Sequence, residues 1–118
     1  MAEHNLIGQK GEELALIFLK KAGYEILETG WRFKHKEIDI IAKDNEHLIF
    51  VEVKTRTENY WGNPEEFVTK GKQKFLIRAA EAYIEERNYN GESRFDIIAV
   101  ILKNNSEEIE HIIEAFYP

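Results

Sequence analysis

The sequence predicts an α/β fold, a mixed β-sheet flanked by helices in the order α-β-β-β-α-β-β. Three observations carry that expectation. Apolar residues recur at helical spacing in the first twenty positions. The next strand-like runs are joined by short turns, which favours antiparallel pairing. The strongest strand is followed by a long helical pattern and another apolar strand, and such a crossover favours a parallel pair with a right-handed connection.

The first helix is expected from about Leu6 to Ala22, with Leu14, Ile17 and Phe18, extended by Ile7 and Gly11, on one face. Gly23 stands where a C-terminal cap belongs. Tyr24 to Glu28 reads as a strand and Thr29-Gly30 as a turn. Trp31 to Lys34 then begins a second strand that continues through Glu37-Ile38-Asp39-Ile40-Ile41-Ala42. Asp44-Asn45-Glu46 has the composition of a hairpin turn. His47 to Lys54 is the richest segment in β-branched and aromatic residues. Residues 56–63 read as a loop, Pro64 suits a first helical turn, and Thr69 is a candidate cap for a helix ending near Arg87. Its apolar stripe comprises Phe75, Ile77, Ala79, Ala80, Tyr83 and Ile84. Asn90-Gly91 is a turn, Arg94 to Leu102 a buried strand, and Ile109 to Phe116 an edge strand or a short helix.

A chain of 118 residues, 43% hydrophobic and 32% charged, is the size of one domain spanning 1–118. It has no cysteine, which excludes disulfides, thiolate metal sites and cysteine nucleophiles. No apolar run is longer than Leu14 to Leu19, far too short to span a membrane, and no signal peptide is legible. A cytoplasmic protein is the expectation. The net charge of −6 argues against nonspecific nucleic-acid binding, but its distribution is uneven. Residues 1–80 carry 13 basic and 13 acidic groups, and residues 81–118 carry 3 and 9.

The informative oddity is charge inside strands. Asp39 interrupts an apolar strand, and Glu52 and Lys54 share one face of another. A buried charge is costly unless it is paired or binds a metal. The short hairpin between the strands lets Asp39 and Glu52 converge, with Lys54 near them. Two repelling carboxylates suit magnesium, which takes a few carboxylate oxygens and fills its octahedron with water and phosphate oxygens. Manganese is the expected substitute. A salt bridge between Lys54 and either acid is the structural alternative.

The same residues match a nuclease signature: an acid, a spacer, then (Asp/Glu)-x-Lys. Around them stand Gly8-x-x-Gly11-Glu12, Gly23-Tyr24-x-Ile26-Leu27, Trp31-Arg32, Glu37-Ile38-Asp39-Ile40-Ile41-Ala42 and Phe50-Val51-Glu52-Val53-Lys54-Thr55-Arg56. Gly62-x-Pro64-Glu65-Glu66, Lys72-Gln73 and Arg94-Phe95-Asp96 follow. Together these resemble the YraN-like family of bacterial proteins, which is regarded as a family of endonucleases. The resemblance covers nearly the whole chain. It implies a restriction-endonuclease-like fold similar to archaeal Holliday-junction resolvases, DNA as the partner, and by the same analogy a homodimer. It implies that Asp39, Glu52 and the Val53 carbonyl bind magnesium. Lys54 would orient water or stabilise the phosphate, and Glu12 would act at the metal through water. Lys72 and Gln73 would contact phosphate or order the site. Two departures stand out: Ile38 where the wider superfamily often has proline, and Lys36 where related sequences usually have glycine.

Arg32, Lys34, Lys36, Arg56, Lys70 and Lys74 are candidates for phosphate contacts, which would make binding salt-sensitive. Tyr60 and Trp61 are candidates for stacking on bases, while Trp31 reads as core. His4, His35, His47 and His111 show no metal-ligand spacing, and His111 reads as structural. No dinucleotide fingerprint, phosphate-cradling loop or nucleophile elbow is present, so no small-molecule cofactor is expected. The function expected is metal-dependent cleavage of DNA phosphodiester bonds, on branched or single-stranded substrates. Its rival is a weak or inactive nucleic-acid-binding or protein-interaction module of the same fold.

Overall fold

Apolar residues occupy successive positions in the third and fourth strands, as expected where both faces of a sheet are covered. The computed structural model of the chain describes residues 2–45, 47–58 and 68–118, with side chains from residue 6 onward. Helix α1 (Ala2–Lys21) precedes strands β1 (Glu25–Phe33), β2 (Lys36–Asp44) and β3 (His47–Thr57). Helix α2 (Lys70–Arg87) leads to β4 (Ser93–Leu102) and β5 (Glu107–Phe116). The element order is the expected one, and the closing segment is a strand.

The five strands form one sheet in sequence order, β1 to β5. β1–β2, β2–β3 and β4–β5 are antiparallel, and β3–β4 is parallel with α2 as the crossover. Side chains of β3 alternate between two cores. Leu48 and Phe50 join Leu76, Ala79, Ala80 and Tyr83 of α2, whereas Ile49, Val51 and Val53 join Ala15 and Leu19 of α1. The helices therefore cover opposite faces, and Glu52, in step with Leu48 and Phe50, faces α2.

Helix α2 is capped as expected: the Thr69 hydroxyl accepts from the Lys72 N–H at 3.2 Å, and Asn88 closes the C-terminus in a left-handed conformation. Its buried stripe is Leu76, Ala79, Ala80 and Tyr83, with Phe75, Ile77 and Ile84 packed partly buried beside it. Trp31 packs edge-on against Tyr83 at 5.1 Å, confirming its place in the core.

Two local expectations are corrected. Thr29-Gly30 is not a turn. β1 runs unbroken past Gly30, which adopts φ +60 within the strand, and a register irregularity falls at Ile26/Glu28. Glycine signalled a positive φ, which side-chain-bearing residues adopt at a cost, but that backbone lies inside a strand. The reversal comes at Lys34-His35, where Lys34 takes φ 58. The second correction is Ile17, which is 49% exposed. The buried stripe of α1 follows Gly11, Ala15 and Leu19, and Ile17 lies roughly 200° round the helix from Ala15.

Gly11 fixes how α1 lies on the sheet. A Cβ there would sit 1.7 Å from Thr55 Oγ1, so the helix crosses β3 at a distance only glycine allows. Gly11→Ala is expected to lower stability in urea unfolding by about 1–3 kcal/mol through overpacking. Gly8→Ala, where an added Cβ meets nothing within 4 Å, should leave stability unchanged or raise it.

Candidate active site

The site begins where the sheet divides. β2 and β3 pair from Asp44↔His47 up to Ile40↔Val51 and no further. Beyond that point β2 stays with β1, through Trp31↔Ile38 to Phe33↔Lys36, and β3 stays with β4 as far as Thr57↔Leu102. A fork opens between the two central strands. A backbone N–H left there needs an acceptor. Asp39 supplies it: its Oδ2 accepts the Val53 N–H at 2.8 Å. The carboxylate thus completes the ladder with a side chain at the first position where backbone pairing fails. Gly30, lying between Thr29↔Ile40 and Trp31↔Ile38, stands across from Asp39 on the other side.

Glu52, one residue before that N–H, is 3% exposed. Its Oε2 lies 3.4 Å from Lys54 Nζ and 3.6 Å from Lys72 Nζ. Its Oε1 is buried and has no hydrogen-bond partner among the described residues. An orphaned carboxylate oxygen in such a place is costly, and it is the lone pair a cation or a water would take. Lys72 comes from the first turn of α2, a turn without acidic residues, so the positive end of that helix faces the same acid. The ion pairs with Lys54 and Lys72 also meet the description of the structural alternative. They use one oxygen and leave the other unsatisfied.

Burial, together with the neighbouring Glu52 and Glu12, pushes the Asp39 carboxyl up to about 8, against the lowering effect of the Val53 N–H and of Lys72. Glu12, on α1, is also raised, first by burial and then by Glu37 and Glu52. The Gly11–Thr55 approach places Glu12 over this end of the sheet, and Glu12 lines a cleft of about 230 Å³ with Gly8, Val53, Lys54 and Arg56. Glu37 was not singled out by the sequence reasoning. Its signal is spacing, since it is two residues from Asp39 in the same strand. Its own ion pair is with Arg32 at 3.4 Å.

Of the other sequence candidates, Gln73 turns away from the acids and donates to the Val68 carbonyl at 3.2 Å, bracing the start of α2. Arg56 donates to the Thr55 carbonyl at 2.9 Å and lines the Glu12 cleft. Lys36 lies with Nζ 5.6 Å from the centre of the Phe75 ring. Tyr60, Trp61, Gly62, Pro64, Glu65 and Glu66 lie outside the described residues, as does the side chain of His4.

A second buried carboxylate was legible only as part of a motif. Asp96 is wholly buried and fully partnered, by Arg94 Nε at 3.1 Å, by the Glu114 N–H at 3.1 Å and by His111 Nε2 at 2.7 Å. Arg94 also donates to the Tyr24 hydroxyl at 2.7 Å. Asp96 is satisfied within the protein, so this network ties Tyr24, just before β1, to β4 and β5, and it agrees with the structural reading of His111.

Among the described residues no three His, Asp or Glu side chains converge as a metal cage. Magnesium does not need one: one or two carboxylates plus water and substrate oxygens suffice. Asp39 and the orphaned Oε1 of Glu52 fit that requirement. Among the described residues no helix is long and apolar enough to cross a membrane.

Residues 11–100 match the profile of Uncharacterised protein family UPF0102. UPF0102 proteins of Flavobacterium psychrophilum and Christiangramia forsetii are 47% and 48% identical to this chain over 117 residues, covering 99% of it and 98% of each relative. One from Bacteroides thetaiotaomicron is 46% identical over 118 residues, which is 100% of this chain and 98% of that protein. The chain belongs to the UPF0102 family.

The raised Asp39 fixes the sign of a pH effect. From about pH 4 to about pH 8 the folded protein retains a proton that the unfolded chain releases, so stability falls as pH rises through that window. In metal-chelated buffer, Asp39→Asn should therefore be more stable than wild type at pH 7, by about 1 kcal/mol or more, with the gap closing near pH 4. Equal melting temperatures at pH 7 would contradict the burial and charge argument.

Proposed function

We propose that the chain is a metal-dependent endonuclease that hydrolyses DNA phosphodiester bonds, of the restriction-endonuclease-like superfamily and similar to the archaeal Holliday-junction resolvases. The observation that carries this reading is the buried, unpartnered Oε1 of Glu52, beside Asp39 in the fork of the sheet and flanked by two lysines.

Asp39, Glu52 and the Val53 carbonyl would hold a magnesium ion, with manganese as a substitute. Bound there, the ion polarises a phosphoryl oxygen and lowers the pKa of a coordinated water. The remaining work falls to the chain. The Val53 N–H holds the Asp39 carboxylate in one orientation. Lys54 and Lys72 would supply the positive charge that an anionic phosphate needs at a site otherwise dominated by carboxylates, and that charge is worth more as the transition state accumulates negative charge. Lys72, at the α2 N-terminus, adds the helix dipole to the same end. Glu12, with its raised carboxyl, would hold or take a proton from water entering the Val53–Lys54 cleft, which it lines.

The rival reading is a binding module without turnover. It is favoured by the ion pairs of Glu52 with Lys54 and Lys72, which neutralise the acid without a metal.

The test is incubation of labelled single-stranded, duplex, flap and four-way-junction DNA with magnesium or manganese. Wild type should cleave at least one substrate. Lys54→Ala and Glu52→Gln should each cut activity on the order of 10²-fold or more while still binding DNA. Binding without cleavage by all three proteins would establish the module instead.

A further inference from the structure

A second cleft lies between the β1–β2 turn and the start of α2. It encloses about 250 Å³ and is lined by Phe33, Lys34, Gly71, Lys74, Phe75 and Arg78. The two rings stand 6.0 Å apart at 47°, forming walls rather than a closed stack. Both are partly buried, anchored on the α2-side core. Lys34 lies over Phe33 at 5.4 Å, and Lys36 and Lys72 lie over Phe75 at 5.6 and 5.7 Å. No carboxylate lines the cleft among the described residues. In a chain of net charge −6, a concave surface bearing only cations and aromatic faces is unusual enough to need an occupant that is both anionic and flat.

Lys72 links this cleft to the candidate active site. Its ammonium is 3.6 Å from Glu52 and 5.7 Å from the Phe75 ring centre. A phosphate held on Lys72 would have its neighbouring nucleotide within reach of Phe75. Bases in a duplex are stacked on one another and have no face to offer a side chain. An unpaired base has one.

We propose that the Phe33–Phe75 cleft is a subsite for one unpaired nucleotide of a DNA strand, its base against the aromatic walls and its phosphates on Lys34, Lys74 and Arg78. The proposal rests on the nuclease reading for the strand's placement, and it names the substrate class as single-stranded or strand-separated DNA. It assigns substrate selection to Phe75 and phosphate capture to the three cations.

The test measures binding in chelator, so that no cleavage enters. Fluorescence anisotropy compares labelled oligothymidylate, the same oligonucleotide with abasic sites, and a blunt duplex of equal length. Wild type should bind oligothymidylate about tenfold more tightly than the abasic strand, and more tightly than the duplex. Phe75→Leu should abolish that preference, Phe75→Tyr should keep it, and Arg78→Ala should weaken both single strands and flatten the salt dependence. Equal wild-type affinity for base-bearing and abasic strands overturns the proposal, as does preference for the duplex or a Phe75→Leu protein that behaves as wild type. Should Phe75→Leu fail to fold, the wild-type comparison of the two strands still decides. Base-dependent binding without cleavage of any DNA would sink the nuclease reading and leave the subsite standing. Cleavage of single-stranded DNA that is unchanged in Phe75→Leu would sink the subsite and leave the nuclease reading standing.

Discussion

The fork between β2 and β3 is the constraint on which the rest of the site depends. A sheet cannot divide without leaving backbone donors and acceptors unmatched, and buried ones are costly. Here the Asp39 carboxylate replaces the missing carbonyl at Val53. That substitution puts an acid where the apolar sheet interior would otherwise continue, and it brings Asp39 beside Glu52. Everything nearby answers it. Lys54 and Lys72 reach Glu52, Gly30 faces Asp39, and the Gly11–Thr55 approach seats Glu12 at the same end. The fold tolerates two poorly compensated acids because two cores of aliphatic and aromatic residues, one under each helix, hold the strands on either side.

The charge distribution follows the strand order. β5 lies at the opposite edge from β1 and carries Glu107, Glu108, Glu110 and Glu114. Lys34, Lys36, Lys72, Lys74 and Arg78 gather where the β1–β2 turn meets α2. The net charge of −6 therefore describes the chain and not the surface around the acids. Beside α2 the balance is reversed, and cations rather than carboxylates line the cleft there among the described residues.

Much of this was legible in the sequence because charge inside a strand breaks a pattern that burial otherwise enforces. Asp39, Glu52 and Lys54 stood out for that reason, and the short hairpin between their strands brought them together. The strand order followed from turn lengths and the one helical crossover. The misreadings have physical causes. Gly30 carries the positive φ of a turn while remaining in β1, and the true reversal uses Lys34, whose composition gives no turn signal. Ile17 fitted the spacing from Leu14 but lies outside the stripe centred on Gly11, Ala15 and Leu19. Apart from the neighbouring Arg94, the Asp96 network draws on Tyr24, His111 and Glu114, which come from other segments and share no periodicity with it. Long-range polar convergence leaves little trace in any one segment.

The central claim is that the fork is built to take a divalent cation. Titration of the metal-free protein with manganese, followed by calorimetry, addresses it without reference to any substrate. One ion per chain should bind to wild type, and Glu52→Gln, which keeps the shape of the side chain and removes its charge, should lose that binding. Undiminished binding by the variant, or none by wild type, would contradict the account.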